Sequence, residues 1–322
     1  MADDDVPGEA PVDVPPPPGG PAADALASAW EALGTRIDGP NGAVWTARIP
    51  AAADRGNPPL LALHGFPTNA LDWQPVLEQL RADRDVVVVD VHGFGLSDKP
   101  DHRYSIRGYA DDVEAAIAHH GLVEVDLLTH DMGDTVGGEL LARTLDGSLA
   151  LQVRRRVVTN GSIYIDMAQL TLGQQLLLGL PDAKEPLVGA DQGTSFRGGV
   201  VGTFAEGTVL DPDGHDHLDA VVTLARRDDG LAMLPRTIRY IEDRRAEERR
   251  FTGAIEEHAS PVGIVWGDLD PVAVHAMAER FTTTRTDAPL RTLDGVGHYP
   301  MVEAPERFAT AVLDLLDEEL AR

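Results

Sequence analysis

The sequence predicts an α/β chain: a mostly parallel central sheet with helices on both faces and a helical cap inserted after the sixth strand. Three observations predict it. Short apolar runs of strand length alternate with stretches of helical periodicity, the pattern of a parallel sheet covered on both sides. The rhythm opens with a hairpin, Gly34–Asp38 and Ala43–Ile49 around Gly39-Pro40-Asn41-Gly42. It is interrupted once, over residues 162–259, by a helical stretch rich in Gly and charge that carries no strand pattern.

The elements follow in order. Residues 1–24 are acidic and Pro-rich, with Pro15 to Pro18 in a row; too little apolar surface is available to offset their ordering entropy, so a disordered tail is expected. After the hairpin, Leu60–His64 and Val86–Val91 read as buried parallel strands, with a helix over 70–81 between them. A helix over 106–120 ends at Gly121. A strand at 125–129 runs into a helix over 134–145, and 157–160 is the next strand. Strands at 262–266 and 290–293 flank a helix over 272–281, and a helix over 305–320 closes the chain. The expected division is a core of residues 25–161 and 260–322, with 162–259 as a cap over the strands' carboxyl ends.

Composition narrows the function classes. With 322 residues, 43% of them hydrophobic, the chain can bury a large core. A net charge of −26, from 53 acidic and 27 basic residues, excludes a basic face for nucleic acid or anionic membrane. The absence of cysteine excludes disulfides, a Cys nucleophile and thiolate metal sites. No apolar run has the length of a membrane span, and the acidic start lacks the positive charge of a signal peptide. The expectation is a cytoplasmic monomer or homodimer acting on a small molecule, with neither nucleic acid nor membrane as partner. Asp211-Pro212-Asp213-Gly214-His215-Asp216-His217 lacks the spacing of a calcium loop and reads as a solvated cap turn, so no metal is implied. Arg244-Arg245 and Arg249-Arg250, interleaved with Glu247-Glu248, read as a solvated helix face.

The sharpest signal is Leu127-Leu128-Thr129-His130-Asp131-Met132-Gly133-Asp134. A strand enters a helix through small-x-Asp-x-small, with Thr129 and Gly133 as the small residues, the spacing of a nucleophile elbow. Such a turn lifts its central side chain above the sheet and places it at a helix N-terminus, where free N–H groups favour an anion. An ordinary turn with Asp131 as helix cap is the alternative. Chain order decides between them: Asp270, in Trp266-Gly267-Asp268-Leu269-Asp270-Pro271, and His298, in Gly295-Val296-Gly297-His298-Tyr299-Pro300, both follow strands on the same sheet edge. Nucleophile, acid and His thus fall at the three stations of a triad. His64-Gly65-Phe66-Pro67 after the first parallel strand supplies a fourth piece. The N–H groups of Phe66 and Met132 would form an oxyanion hole, and His64 would bond within its own loop.

With these motifs and Asp90-Val91-His92-Gly93-Phe94-Gly95-Leu96-Ser97-Asp98, the chain resembles the α/β-hydrolase fold. It is similar to the Asp-nucleophile branch of epoxide hydrolases and haloalkane dehalogenases, and its elbow and acid loop look most like the mesoderm-specific transcript proteins. The resemblance covers roughly residues 30–318. It implies that Asp131 forms an alkyl-enzyme ester, which a water activated by His298 hydrolyses while Asp270 orients the imidazole. It implies no metal and no organic cofactor. The dehalogenases' halide-binding side chains are replaced here by Phe66 and Met132, which carry no side-chain N–H. The resemblance assigns the proton donor of epoxide opening to Tyr240, for which a packed core aromatic is the alternative; Tyr164, Trp73 and His64 are placed around the pocket. Epoxide hydrolysis is the favoured reading. A dehalogenase with an atypical halide site is the second, and a non-catalytic ligand-binding or scaffold protein is a third of another class.

Overall fold

The computed structural model describes residues 18–318. Eight strands form one sheet: β1 (Thr35–Gly39), β2 (Gly42–Ile49), β3 (Leu60–Leu63), β4 (Val86–Asp90), β5 (Glu124–His130), β6 (Gln152–Thr159), β7 (Val262–Gly267) and β8 (Leu290–Leu293). Their spatial order is β1-β2-β4-β3-β5-β6-β7-β8. β2 pairs antiparallel with β1 and β4, and all other pairs are parallel. The parallel strands are apolar along their length because both faces are covered; every residue of β3, β4 and β7 is buried. Register brings the carboxyl ends level: Leu63 lies beside Thr129, His130 beside Thr159, and Thr159 beside Val265. The residues that follow these ends therefore share one edge.

The helices are α1 (Pro21–Glu31), α2 (Leu77–Leu80), α3 (Ile106–His119), α4 (Met132–Asp146), α5 (Leu172–Gly179), α6 (Thr194–Val201), α7 (Pro212–Arg226), α8 (Leu234–Thr237), α9 (Tyr240–Glu257), α10 (His275–Thr284), α11 (Pro300–Glu303) and α12 (Pro305–Asp317). Each begins where chemistry permits. Ser105 caps α3 by accepting from Gly108 N–H at 3.0 Å, and Thr171 caps α5 in a capping box with Gln174. α12 buries Phe308, Ala309, Val312, Leu315 and Leu316 against the sheet. There Gly263 leaves room for Leu315, whose side chain lies 2.7 Å from where a Cβ would stand.

Several expectations need correction. The helix expected over 70–81 is a 3-10 segment, Ala70–Val76, followed by the single turn α2; Pro75 lacks the N–H that a continuous α-helix needs. The tail expected over 1–24 ends sooner, because α1 starts at Pro21 and buries Ala23, Ala27 and Trp30. Residues 1–17 lie outside the described residues. The cap expected over 162–259 also ends sooner. α9 packs along α4 as part of the core layer, at a contact so close that a Cβ on Gly138 would stand 2.7 Å from the Phe251 carbonyl oxygen. The expected turn around Asp211 is the start of α7: Asp211 accepts from Gly214 N–H at 2.8 Å as its N-cap, and His217 is buried.

The cap, α5 to α8, covers the carboxyl edge. It is held from a third side by α1, which packs on α7 while Trp30 sets its ring 5.9 Å from that of Trp45 on β2. Thr223 Oγ1 donates to Asp24 at 3.5 Å, and Arg227 pairs with Glu31 at 2.7 Å across the same junction. Among the described residues, no helix is long and apolar enough to cross a membrane.

Candidate active site

Asp131 stands alone between β5 and α4 with φ 50° and ψ −115°. This sparsely populated conformation costs a non-glycine residue about 1–3 kcal/mol and persists only where neighbours enforce it. The neighbours are visible. A Cβ on Gly133 would stand 2.5 Å from the Leu63 carbonyl oxygen, and one on Gly65 would stand 2.6 Å from Asp131 Cβ. Both positions must be glycine for the elbow to sit this close to the loop after β3.

That loop holds the nucleophile candidate. Phe66 N–H donates to Asp131 Oδ2 at 2.8 Å. Asp131 Oδ1 has no partner among the described residues and lies 3.8 Å from His298 Nε2. At the start of α4 Asp134 N–H donates to the Asp131 carbonyl at 3.1 Å, while the Met132 and Gly133 amides have no intrahelical acceptor and leave a partial positive charge at this end. On the far side of the imidazole, His298 Nδ1 meets Asp270 Oδ2 at 2.8 Å. Asp270 is itself anchored, its Oδ1 accepting from Val272 N–H at 2.7 Å and Ala273 N–H at 2.9 Å. The carboxylate therefore fixes the tautomer, with the proton on Nδ1 and Nε2 turned toward Asp131.

The electrostatics follow from burial and charge. Burial works to lower His298, but Asp270 and then Asp131 outweigh it and push the imidazole up to about 9. His130 behaves oppositely: burial, and then His298, bring it down to about 4, so it stays neutral and its Nε2–H donates to the His298 carbonyl at 2.8 Å.

The other expected residues divide. Tyr240 opens α9, fully buried, with its ring 5.6 Å from that of Phe66. Burial, reinforced by the charge of Asp131, holds its phenol well above the ordinary value, so it keeps its proton. Arg244, expected on a solvated face, is instead buried, its guanidinium 5.4 Å from the Tyr240 ring. Of the residues expected around the pocket, Tyr164 and Trp73 lie elsewhere, and His64 bonds within its own loop as expected. Tyr164 donates to Glu256 at 2.8 Å beneath Arg280 and does not line the cavity. Trp73 is a core residue stacked on Phe308. His64 is buried and turned onto the Gly65 carbonyl at 2.9 Å, with burial lowering its pKa.

A cavity of about 280 Å³ lies between core and cap. Leu177, Leu180, Val188, Leu231 and Leu234 of the cap line it, and it reaches the site at Phe66, His298 and Tyr299. Asp131 and Tyr240 are not among the lining residues, but both contact Phe66, which is one of them. No carboxylate, Lys or Arg lines it.

Sequence reasoning missed Asn160 and Glu303. Asn160, at φ 44° after β6, donates from Nδ2 to Asp270 Oδ2 at 2.7 Å and accepts from Gly267 N–H at 3.1 Å. A lone Asn at a strand's end was its only local signal. Glu303 accepts from Gly297 N–H at 2.9 Å and Tyr299 N–H at 3.0 Å, on either side of His298.

Comparison with known proteins agrees with this arrangement. Residues 60–311 match the Alpha/beta hydrolase family, which is most of the chain. The chain belongs to the α/β-hydrolase family. Among its relatives, the Mycobacterium tuberculosis protein named "Putative hydrolase LipZ" is 37% identical over 263 residues, 80% of this chain and 88% of that protein. The human mesoderm-specific transcript homolog protein is 32% identical over 271 residues, 81% of this chain and 80% of that protein. The epoxide hydrolase CorEH has a solved structure that superposes with a TM-score of 0.69 at 16% identity, covering 88% of this chain and 97% of that one. Esterases and a haloalkane dehalogenase superpose equally well, so structural likeness establishes the fold alone. The chain is a hydrolase of the α/β-hydrolase superfamily, as its motifs imply.

Proposed function

We propose that this hydrolase opens epoxides through an ester on Asp131. One observation supports the reading above others: the side chain at the elbow is a carboxylate whose Oδ2 is bound by Phe66 N–H while Oδ1 is left without a partner. A carboxylate is already ionised at neutral pH and suits displacement at an sp³ carbon. Attack on an ester would instead give an anhydride that exchanges freely.

In the proposed sequence, Oδ1 attacks an epoxide carbon, the ring C–O bond breaks, and the Tyr240 phenol gives its proton to the departing oxygen. The ester carbonyl oxygen is then Oδ2. His298 takes a proton from water, and the resulting hydroxide attacks the ester carbon. The Phe66 and Met132 N–H groups hold the oxyanion that develops on Oδ2. Collapse releases the diol, whose second oxygen takes the proton from His298. The proton left on the re-formed Asp131 carboxyl restores the phenol. Phe66 bridges cavity and phenol, so substrate reaches Asp131 by displacing its ring. The largely apolar cavity, without carboxylate, Lys or Arg in its lining, points to a neutral, lipophilic epoxide.

A single turnover in H₂¹⁸O tests the ester. Oxygen-18 should enter Asp131 and appear by peptide mass spectrometry, with unlabelled oxygen in the first-formed diol. Label found in the diol and absent from Asp131 would mean that water attacks the epoxide directly.

A further inference from the structure

The cap and the catalytic imidazole share an anchor. The carboxylate of Glu303, on the turn α11, accepts four hydrogen bonds. Two come from the backbone on either side of His298: Gly297 N–H at 2.9 Å to Oε2 and Tyr299 N–H at 3.0 Å to Oε1. The other two come from the cap: Ala205 N–H at 2.8 Å and Thr208 Oγ1 at 3.2 Å, both to Oε2. The same seam carries a direct bond, His298 N–H to the Thr203 carbonyl at 3.0 Å. Contact is too close for any side chain on the loop, since a Cβ at Gly297 would stand 2.4 Å from Ala205 N.

We propose that Glu303 is a positioning residue that couples the cap to His298. When residues 203–208 are seated, the backbone on both sides of the imidazole is fixed, and Nε2 is held against Asp131. When the cap lifts, Oε2 loses two of its three donors and the Thr203 bond breaks, so the His298 loop is freed on the cap side at the same moment. The base is thus in register only while the cap excludes bulk water. The chemistry of the four partners specifies the residue. All are donors, so a carboxylate accepts from every one, whereas an amide would turn an N–H against an N–H. In kinetic terms the inference rests on the proposed two-step reading, because only the second step uses His298 as a base.

The test uses the full-length protein with Glu303→Gln, and with Thr208→Val, which removes one of the two cap bonds to Glu303 and leaves its bonds beside His298 in place. Amide hydrogen exchange needs no substrate. Glu303→Gln should speed exchange at Ala205, Gly297 and Tyr299 at least about tenfold, and Thr208→Val should speed Ala205 and the flanks of His298 together. With an epoxide, the alkylation rate should stay within about twofold while ester hydrolysis slows at least about tenfold, since misplacement of a base costs only the step that uses it. Faster exchange confined to Gly297 and Tyr299, or equal losses in both steps, would refute the coupling. If the wild type forms no ester at all, the two-step reading falls, and the exchange measurements then decide the coupling by themselves.

Discussion

Replacing His298 by Gln should split the reaction in two. In the free hydrolase the imidazole is pushed up to about 9 by Asp270 and Asp131. At pH 7 a group at about 9 is neutral only ~1% of the time, too seldom to serve well as a base. Alkylation of Asp131 neutralises one of the three carboxylates, with Asp270 and Glu303, that hold the proton. Losing the Asp131 charge lowers the imidazole from about 9 while Asp270 and Glu303 still raise it, and each unit of that fall is about tenfold more neutral base at pH 7. Forming the ester therefore arms the group that destroys it. Alkylation needs no base and should survive in His298→Gln, whereas ester hydrolysis should fall by about 10²–10⁴-fold. Rapid-quench single turnovers, with the ester followed by intact mass, separate the steps. In the wild type, hydrolysis should rise with pH along a limb whose apparent pKa lies clearly below 9. A limb centred near 9, or normal turnover by His298→Gln, would show that the Asp131 charge does not govern the base.

Four further outcomes follow from the geometry. Tyr240→Phe keeps the ring against Phe66 and removes the proton donor; it should slow alkylation by epoxides about a hundredfold or more while leaving the melting temperature nearly unchanged, and brisk bromide release by the wild type, untouched by this change, would favour a dehalogenase instead. Trp30→Ala should cost about 3–5 kcal/mol in chemical denaturation, because a fully buried indole between α1 and Trp45 is lost; a cost below about 1 kcal/mol would mean that α1 does not clamp the cap. Gly138→Val should destabilise by about 1–3 kcal/mol and be felt at Tyr240, since α9 must back away from α4. His298 also gives stability a pH dependence of definite sign: its folded value is raised, so its contribution is complete below about 6.5 and is lost as pH rises through about 9, a swing on the order of 3 kcal/mol. Urea titrations across that window should show the loss, and His298→Gln should abolish it.

The parts of the fold that were legible in the sequence are those in which local chemistry and global position agree. The elbow at 129–133 needs glycine and a short side chain for a steric reason, and the same reason fixes its spacing. Asp270 and His298 were readable because they follow apolar strands that only a parallel sheet could use. The rest failed where a distant partner reverses a local signal. Gln152 to Arg156 looks too polar to begin a strand, yet Arg156 is buried in β6 because the carbonyls of Ile255, His258 and Ser260 accept from its guanidinium. α9 reads as a solvated cap helix from its Glu and Arg content, but its Phe251 and Ile255 pack on α4 at Gly138. Trp73 and Tyr164 were placed at the pocket on residue type alone, and Glu303 carried no signal because its four partners come from two separate segments.

The clasp formed by α1 has a consequence for turnover. An insertion attached at its two ends can swing as a flap, and small molecules then escape each time it does. Here a third attachment comes from outside the insertion, through Trp30, Asp24 and Glu31. Outward rotation of α7 must either strip that junction or carry the chain's N-terminal helix with it. Product escape then draws on an activated, strongly temperature-dependent opening rather than on a freely diffusing lid, and such an opening can limit kcat when chemistry is fast. An affinity tag or fusion partner placed ahead of Pro21 would pull on this gate, so rates measured with and without it would report on release as well as on the protein's integrity.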